Sequence, residues 1–330
     1  MKENIKKGWE FFLRFGLSAI LLGWLFSRID YKHTWAAIKE ANHAYLFFAF
    51  LTYFCTCAFI LWRWIIFLKA LNLKFERSNA ARWFFVGQFF NLFLPTSMGG
   101  DVIKAFGISA QTGHKPKVFA SVLLDRLTGM VGIVSVASLS FFFSRKILGD
   151  TSLLTSIGLM TAIVFALGVI IFSRRIFSIV CNIFKFLPKV KDALIKLHHD
   201  FVLMRDRKID FLFTLGLSIL AQVILAFDFY LTAQGLHQNI PFVYFIIFSP
   251  LVCVVTTLPS IGGLGVREIG WVYLLAKVGV PQDVALALSL INFTFMVIIG
   301  LIGGVWYVTT FSSRRVQHHQ ANAQLESRNA

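Results

Sequence analysis

Residues 211–225 contain no ionisable side chain, and stretches of this kind recur along the whole chain. In lipid no water reaches the backbone, so every amide must be satisfied within the chain, and only helices or closed barrels can cross. A spanning helix takes about 20 mostly apolar residues. Segments 9–26, 45–61, 118–143, 152–172, 211–236 and 284–311 meet that requirement. The sequence is 57% hydrophobic, 16% aromatic and 15% charged. Soluble domains are nearer 45–50% apolar and about 25% charged. The expected class is an all-α polytopic membrane protein.

Two further apolar segments, 81–110 and 242–278, are interrupted. The first contains LPTSMGGDVIK (94–104) and the second LPSIGGLGVRE (258–268). Each break has Pro after Leu, a hydroxyl residue, a Gly pair and then charges. Pro removes a backbone donor, and Gly favours leaving the helix. The basic residues decide how the breaks are threaded, because connections rich in Lys and Arg stay on the cytoplasmic side. The rich connections are the N-terminus to Arg14, 62–82 (Arg63, Lys69, Lys74, Arg77, Arg82), 104–117, 173–208 and the C-terminal tail. Placing these on one side makes 81–110 start and end in the cytoplasm and 242–278 start and end outside. Both interrupted segments are then re-entrant hairpins, entering from opposite faces. The plan is six spanning helices plus two re-entrant helical hairpins in an inverted-topology repeat, common in transporters. Eight transmembrane segments is the alternative, at the expense of the charge rule. The repeats are expected at 1–147 and 148–311, followed by a polar tail, 312–330. Both termini are expected in the cytoplasm, with the chain in a bacterial inner (plasma) membrane.

The net charge of +16 fits the same bias, and nucleic acid is not an expected partner. The basic stretch 174–208 reads either as an amphipathic surface helix or as a plain cytoplasmic elbow. The basic, apolar N-terminus lacks a cleavage site and reads as an uncleaved first helix. Cys55, Cys57, Cys181 and Cys253 match no zinc or iron–sulfur spacing. No metal, cofactor or catalytic cluster is expected, so the reading leans away from an enzyme.

A helix that restarts after each break would expose free N–H groups and a partial positive charge, an anion site within the membrane. A lipid phosphate is the expected anion. The candidate headgroup-binding residues are Ser97, Gly99, Gly100, Asp101, Lys104, Asp125, Arg126, Ser260, Gly262, Gly263, Gly265, Arg267 and Glu268, with Pro95 and Pro259 as the helix breaks. Asp101 and Lys104 share a helix face. Asp101 serves equally well as a helix cap or a ligand contact. Arg267 suits a phosphate because guanidinium makes paired hydrogen bonds. Gly262 to Gly265 also reads as simple turn chemistry. Asp125–Arg126 lies within a spanning segment, where charge is costly, and fits either function or a structural ion pair. Asp228 is similarly placed and could pair with Arg126 or Arg267. Gln88 and Asn91 could line the same cavity.

LPTSMGGDVIKAF (94–106), SVLLDRLTGM (121–130) and LPSIGGLGVREIG (258–270) together resemble the signatures of the lysylphosphatidylglycerol synthase transmembrane-region family, also called flippase-like. The matching positions are Pro95, Gly99, Gly100, Asp101, Lys104, Pro259, Gly262, Gly263, Gly265, Arg267 and Glu268. Asp125, followed by Arg126, stands where the family often has Glu. The resemblance implies lipid handling, with a membrane lipid and a separate transferase enzyme as partners. The sequence ends at 330 without the aminoacyl-transferase domain that some members carry, so lysine transfer is not expected of it. The function expected is a lipid translocator. The alternatives are a membrane subunit of an aminoacyl- or glycosyl-transferase system, or a scaffold for such an enzyme.

Overall fold

A computed structural model describes residues 31–94, 99–148, 155, 162, 207–256 and 263–329. Among them the chain is all-helical: α1 Tyr31–Glu40, α2 His43–Ala70, α3 Arg77–Phe93, α4 Gly99–Thr112, α5 Lys115–Leu148, α6 Lys208–Gly235, α7 Phe242–Val255, α8 Val266–Ala276 and α9 Gln282–Asn329. The expected helices 9–26 and 152–172, and nearly all of the basic stretch 174–208, lie outside the described residues. Four described helices are long and apolar enough to cross a membrane: His43–Ala70, Lys115–Ser140, Ile209–Gly235 and Gln282–Thr309. Their outer faces carry Phe47, Phe48, Leu51, Leu212, Phe213, Leu301, Val305 and Val308, all exposed, as lipid-facing helices require. The protein is therefore an all-α polytopic membrane protein.

Both interrupted segments fold back on themselves. In the first, a Cβ on Gly100 would lie 2.0 Å from the Gly87 carbonyl oxygen, and one on Gly107 would run into the Trp83 ring. As α4 ascends, its partners on α3 descend, so the arms are antiparallel and touch backbone to backbone where only glycine fits. In the second, Gly263 faces Thr256 and Gly270 faces Val252, again antiparallel. A single through-going span at either place does not have this geometry. The arms are short: 17 and 14 residues in the first hairpin, 14 and 11 in the second. At 1.5 Å per residue these reach about 26, 21, 21 and 17 Å, against a hydrocarbon core of about 30 Å.

The hairpins open at opposite ends of the molecule. At one end Arg207 donates to Asn72 at 3.1 Å, and Asn79 closes on Gln111 at 2.7 Å. At the other, Asn42 N–H donates to the Gly235 carbonyl at 2.8 Å, next to the start of α7. Helices α2 and α6, the most extensively packed pair, run antiparallel between these ends. Element starts repeat in register. Helices α2 and α3 begin at 43 and 77, α6 and α7 at 208 and 242, a shift of 165. Helices α4 and α5 begin at 99 and 115, α8 and α9 at 266 and 282, a shift of 167. The halves also exchange partners, with α5 packed on α7 and α9 on α3. At the latter contact a Cβ on Gly303 would lie 1.9 Å from the Phe85 carbonyl oxygen.

Three features depart from expectation. Helix α2 continues to Ala70, so Arg63 and Lys69 are helical instead of lying in the 62–82 connection. A short helix, α1, fills part of the 27–43 connection and packs on α9. Helix α9 runs on through the polar tail to Asn329.

Candidate functional site

The two hairpins enter from opposite ends, and residues near their tips line one central cavity of about 410 Å³, together with α2, α5, α6 and α9. That volume is within the range of small-molecule sites. Part of the lining is apolar, with Ile60, Met130, Ile133, Leu225 and Met296. The polar wall is built mainly by the first hairpin and α5.

Five charged side chains form a chain along that wall. Arg126 bonds to Asp101, whose carboxylate also takes the Lys104 ammonium at 2.9 Å. The same ammonium lies 3.5 Å from Asp125, which accepts from Arg63 Nε at 2.7 Å. Arg63 Nη1 then reaches Ser218 Oγ on α6 at 2.8 Å. Lys104 sits 4.8 Å over the Trp64 ring and 5.7 Å from the Phe84 ring centroid. Asp101, Lys104, Asp125 and Arg63 are buried, whereas the Arg126 side chain retains 37% of its exposure and faces the cavity. Alternating signs offset the desolvation that each buried charge costs.

The second hairpin contributes a smaller unit. Gly265, at φ 86, begins α8 in a conformation favouring glycine, and its N–H donates to the Glu268 carboxylate at 2.7 Å. Glu268, fully buried, also accepts from Arg267 Nη2 at 2.7 Å and from Ser289 Oγ at 3.3 Å. Arg267 lies 5.0 Å over the Phe293 ring and lines the cavity.

The structure thus gathers Asp101, Lys104, Asp125, Arg126, Gly263 and Arg267 on one cavity, with Glu268 and Gly265 directly behind. Gln88 and Asn91 line it too. Pro95, Ser97, Pro259, Ser260 and Gly262 lie outside the described residues. Gly99 abuts Leu94, and Gly100 N–H is taken by Asn91 Oδ1 at 2.8 Å, so the start of α4 is capped from within the hairpin. Asp101 turns towards Lys104 and Arg126 and is an anion of the charge chain. Asp228 hydrogen-bonds to neither Arg126 nor Arg267: it is fully buried and both its carboxylate oxygens lack a hydrogen-bond partner. Arg63 is the site residue that loop counting missed. Its signal was available: a base preceded by an apolar run and flanked by Trp62 and Trp64, inside a helix-length segment.

The cavity residues Arg63, Lys104, Arg126 and Arg267 carry four positive charges. Asp101, Asp125 and, behind Arg267, Glu268 carry three negative ones. One positive charge is left over. No group of three or more His, Cys, Asp or Glu able to hold a metal occurs among the described residues.

Pairing the two halves by their shifts shows how the second wall differs. Positions 63, 84, 104 and 125 correspond to 228, 249, 271 and 292, replacing Arg, Phe, Lys and Asp by Asp, Ser, Trp and Asn. Among the described residues, the buried side-chain atoms without a hydrogen-bond partner are Asp228 Oδ1 and Oδ2, Ser249 Oγ, Trp271 Nε1 and Asn292 Oδ1. All belong to those four counterparts.

A relative, the UPF0104 membrane protein PH1989 of Pyrococcus horikoshii, is 24% identical in an alignment 308 residues long that covers 84% of this chain and 88% of the relative. The family model described as "Lysylphosphatidylglycerol synthase TM region" matches residues 11–304. The chain belongs to the lysylphosphatidylglycerol synthase transmembrane-region family.

Proposed function

We propose that the protein moves the anionic headgroup of a phospholipid, or of a lipid-linked phosphate, between the leaflets of a plasma membrane, with its basic end in the cytoplasm. The observation that carries this reading is the shared cavity. Arg126 from one repeat and Arg267 from the other face the same space, which holds one excess positive charge. Arginine is suited to phosphate because its planar fork makes two parallel hydrogen bonds. The apolar part of the lining lets acyl chains trail into lipid while the headgroup is held. Each arginine already has a carboxylate partner, so a phosphate would be passed by partner exchange: Arg126 leaves Asp101 to Lys104, and Arg267 leaves Glu268 to Gly265 N–H and Ser289. The oppositely entering hairpins supply a gate at each end, as alternating access requires.

The test is leaflet-resolved movement of fluorescent phosphatidylglycerol in vesicles containing only this protein. Transfer well above protein-free vesicles is expected, and its loss in both Arg126→Ala and Arg267→Ala. Wild-type transport rates in both variants would remove the mechanism. The family description, a membrane region of a synthase, favours a second reading as the membrane partner of a separate transferase. Lipid movement or modification that arises only when a soluble aminoacyl- or glycosyl-transferase is added would support it.

A further inference from the structure

Asp228 occupies the position in the second repeat that Arg63 occupies in the first. In the first repeat the counterparts are ionised and neutralise one another: Arg63 with Asp125, and Lys104 between Asp101 and Asp125. In the second repeat Lys104 is replaced by Trp271 and Asp125 by Asn292, so no cation stands where one would be needed. Asp228 has 0% exposure, and neither oxygen has a donor among the described residues. An ionised carboxylate left in that position loses its water and gains nothing in return.

The surroundings agree. Among the described residues, Tyr53 and Cys57 of α2 interact electrostatically with Asp228. Arg267 of α8 and Cys253 of α7 also interact electrostatically with Tyr53. From α9, Asn292 Nδ2 donates to Thr232 Oγ1 at 3.2 Å, one turn from Asp228, which leaves the Asn292 carbonyl oxygen unpaired. Helix α5 also packs on α6, with Gly132 against Ser218. The adjacent Phe229 and the Leu225 one turn before line the cavity, so Asp228 lies directly behind its wall.

We propose that Asp228 is a proton-binding site: its carboxyl holds a proton in this conformation and releases it to cavity water when the wall formed by α6 opens. The O–H bond breaks, the electron pair stays on the carboxylate, and the proton leaves through the cavity. Loss of that proton adds one negative charge beside a cavity whose excess is one positive charge. Proton and anionic headgroup are therefore held together and released together. The coupling, though not the proton site itself, rests on the translocator reading.

Two measurements on the full-length protein separate these claims. Infrared spectra at neutral pH should show a protonated carboxylic-acid band in wild type that is missing in Asp228→Asn. Asn matches the neutral carboxyl in shape; should that variant fail to insert, wild type with isotope-labelled aspartate decides, because Asp101 and Asp125 are ion-paired. No aspartic-acid band would overturn the site. In phosphatidylcholine–phosphatidylglycerol vesicles, an imposed pH gradient should change the rate of fluorescent phosphatidylglycerol movement by up to about tenfold per pH unit. Asp228→Asn should lose that response, and an unchanged response would overturn the coupling. Absence of any wild-type lipid movement would instead sink the translocator reading, leaving Asp228 to be judged on the band alone.

Discussion

The two repeats use one backbone plan for opposite electrostatic ends. The first repeat's wall is a closed chain of five ionised groups with every buried charge answered. The second keeps one answered pair, Arg267 with Glu268, and among the described residues leaves the Asp228 carboxyl, the Trp271 N–H and the Asn292 carbonyl oxygen without a hydrogen-bond partner. Equal helix starts, to within two residues of shift, show that the difference is in side chains and not in the frame. A bilayer tolerates the paired wall because opposite charges share their desolvation cost. It tolerates the sparse wall only if its lone carboxyl is neutral or its polar atoms meet water in some other state.

The largest difference between the repeats should come from substitutions at the equivalent positions 63 and 228. Arg63→Ala strips Asp125 of its closest partner and is expected to cost about 3–5 kcal/mol. Asp228→Asn removes no formed hydrogen bond and should change stability by less than about 1 kcal/mol. Thermal unfolding in detergent reads both, and equal losses would break the comparison.

Next come the two cavity arginines. Arg267→Ala abandons a carboxylate with zero exposure and should cost about 3 kcal/mol, whereas Arg126→Ala leaves Asp101 still paired to Lys104 and should cost under about 1 kcal/mol. In lipid movement the two should converge, each slowing transfer about 10- to 100-fold through lost charged hydrogen bonds to the phosphate. A variant that retains its unfolding temperature and its transport would remove that arginine from the site.

The hairpins should separate by a smaller margin. Gly100→Ala drives a methyl into the Gly87 carbonyl, and a cost of about 1–3 kcal/mol is expected. At Gly270 an added Cβ meets Val252 at 3.4 Å, so Gly270→Ala should stay within about 0.5 kcal/mol. Denaturation in mixed micelles would rank the pair. A similarly small effect is expected for Trp271→Phe, which removes an unpartnered N–H while keeping the contact with Phe229, for a change within about 1 kcal/mol of either sign. A clear loss there would reveal a partner for the indole.

Several residues that line the candidate cavity stand out in the sequence because lipid makes charge conspicuous: Asp125 and Arg126 lie within a spanning segment, and Asp101, Lys104 and Arg267 stand beside the breaks. Arg63 was absorbed into a loop count because a base near a helix end looks the same whether it reaches water or turns inward. The start of α4 read as an open anion site, but sequence carries no sign that Asn91, nine residues earlier, would fold back and cap Gly100. The Asp228 pairing failed for a related reason, since its neighbours come from helices far away in the chain.

The sequence by itself determined that this chain is helical and lives in lipid, where its two apolar segments break, and which end gathers the basic residues. Those follow from local rules: backbone amides must be satisfied in hydrocarbon, Pro and Gly interrupt helices, and bases gather on one side. Tertiary structure alone decided which charges answer one another. A buried ion's energy depends on what lies within a few ångströms, and for Arg63 that is Asp125 and Ser218, 62 and 155 residues further along.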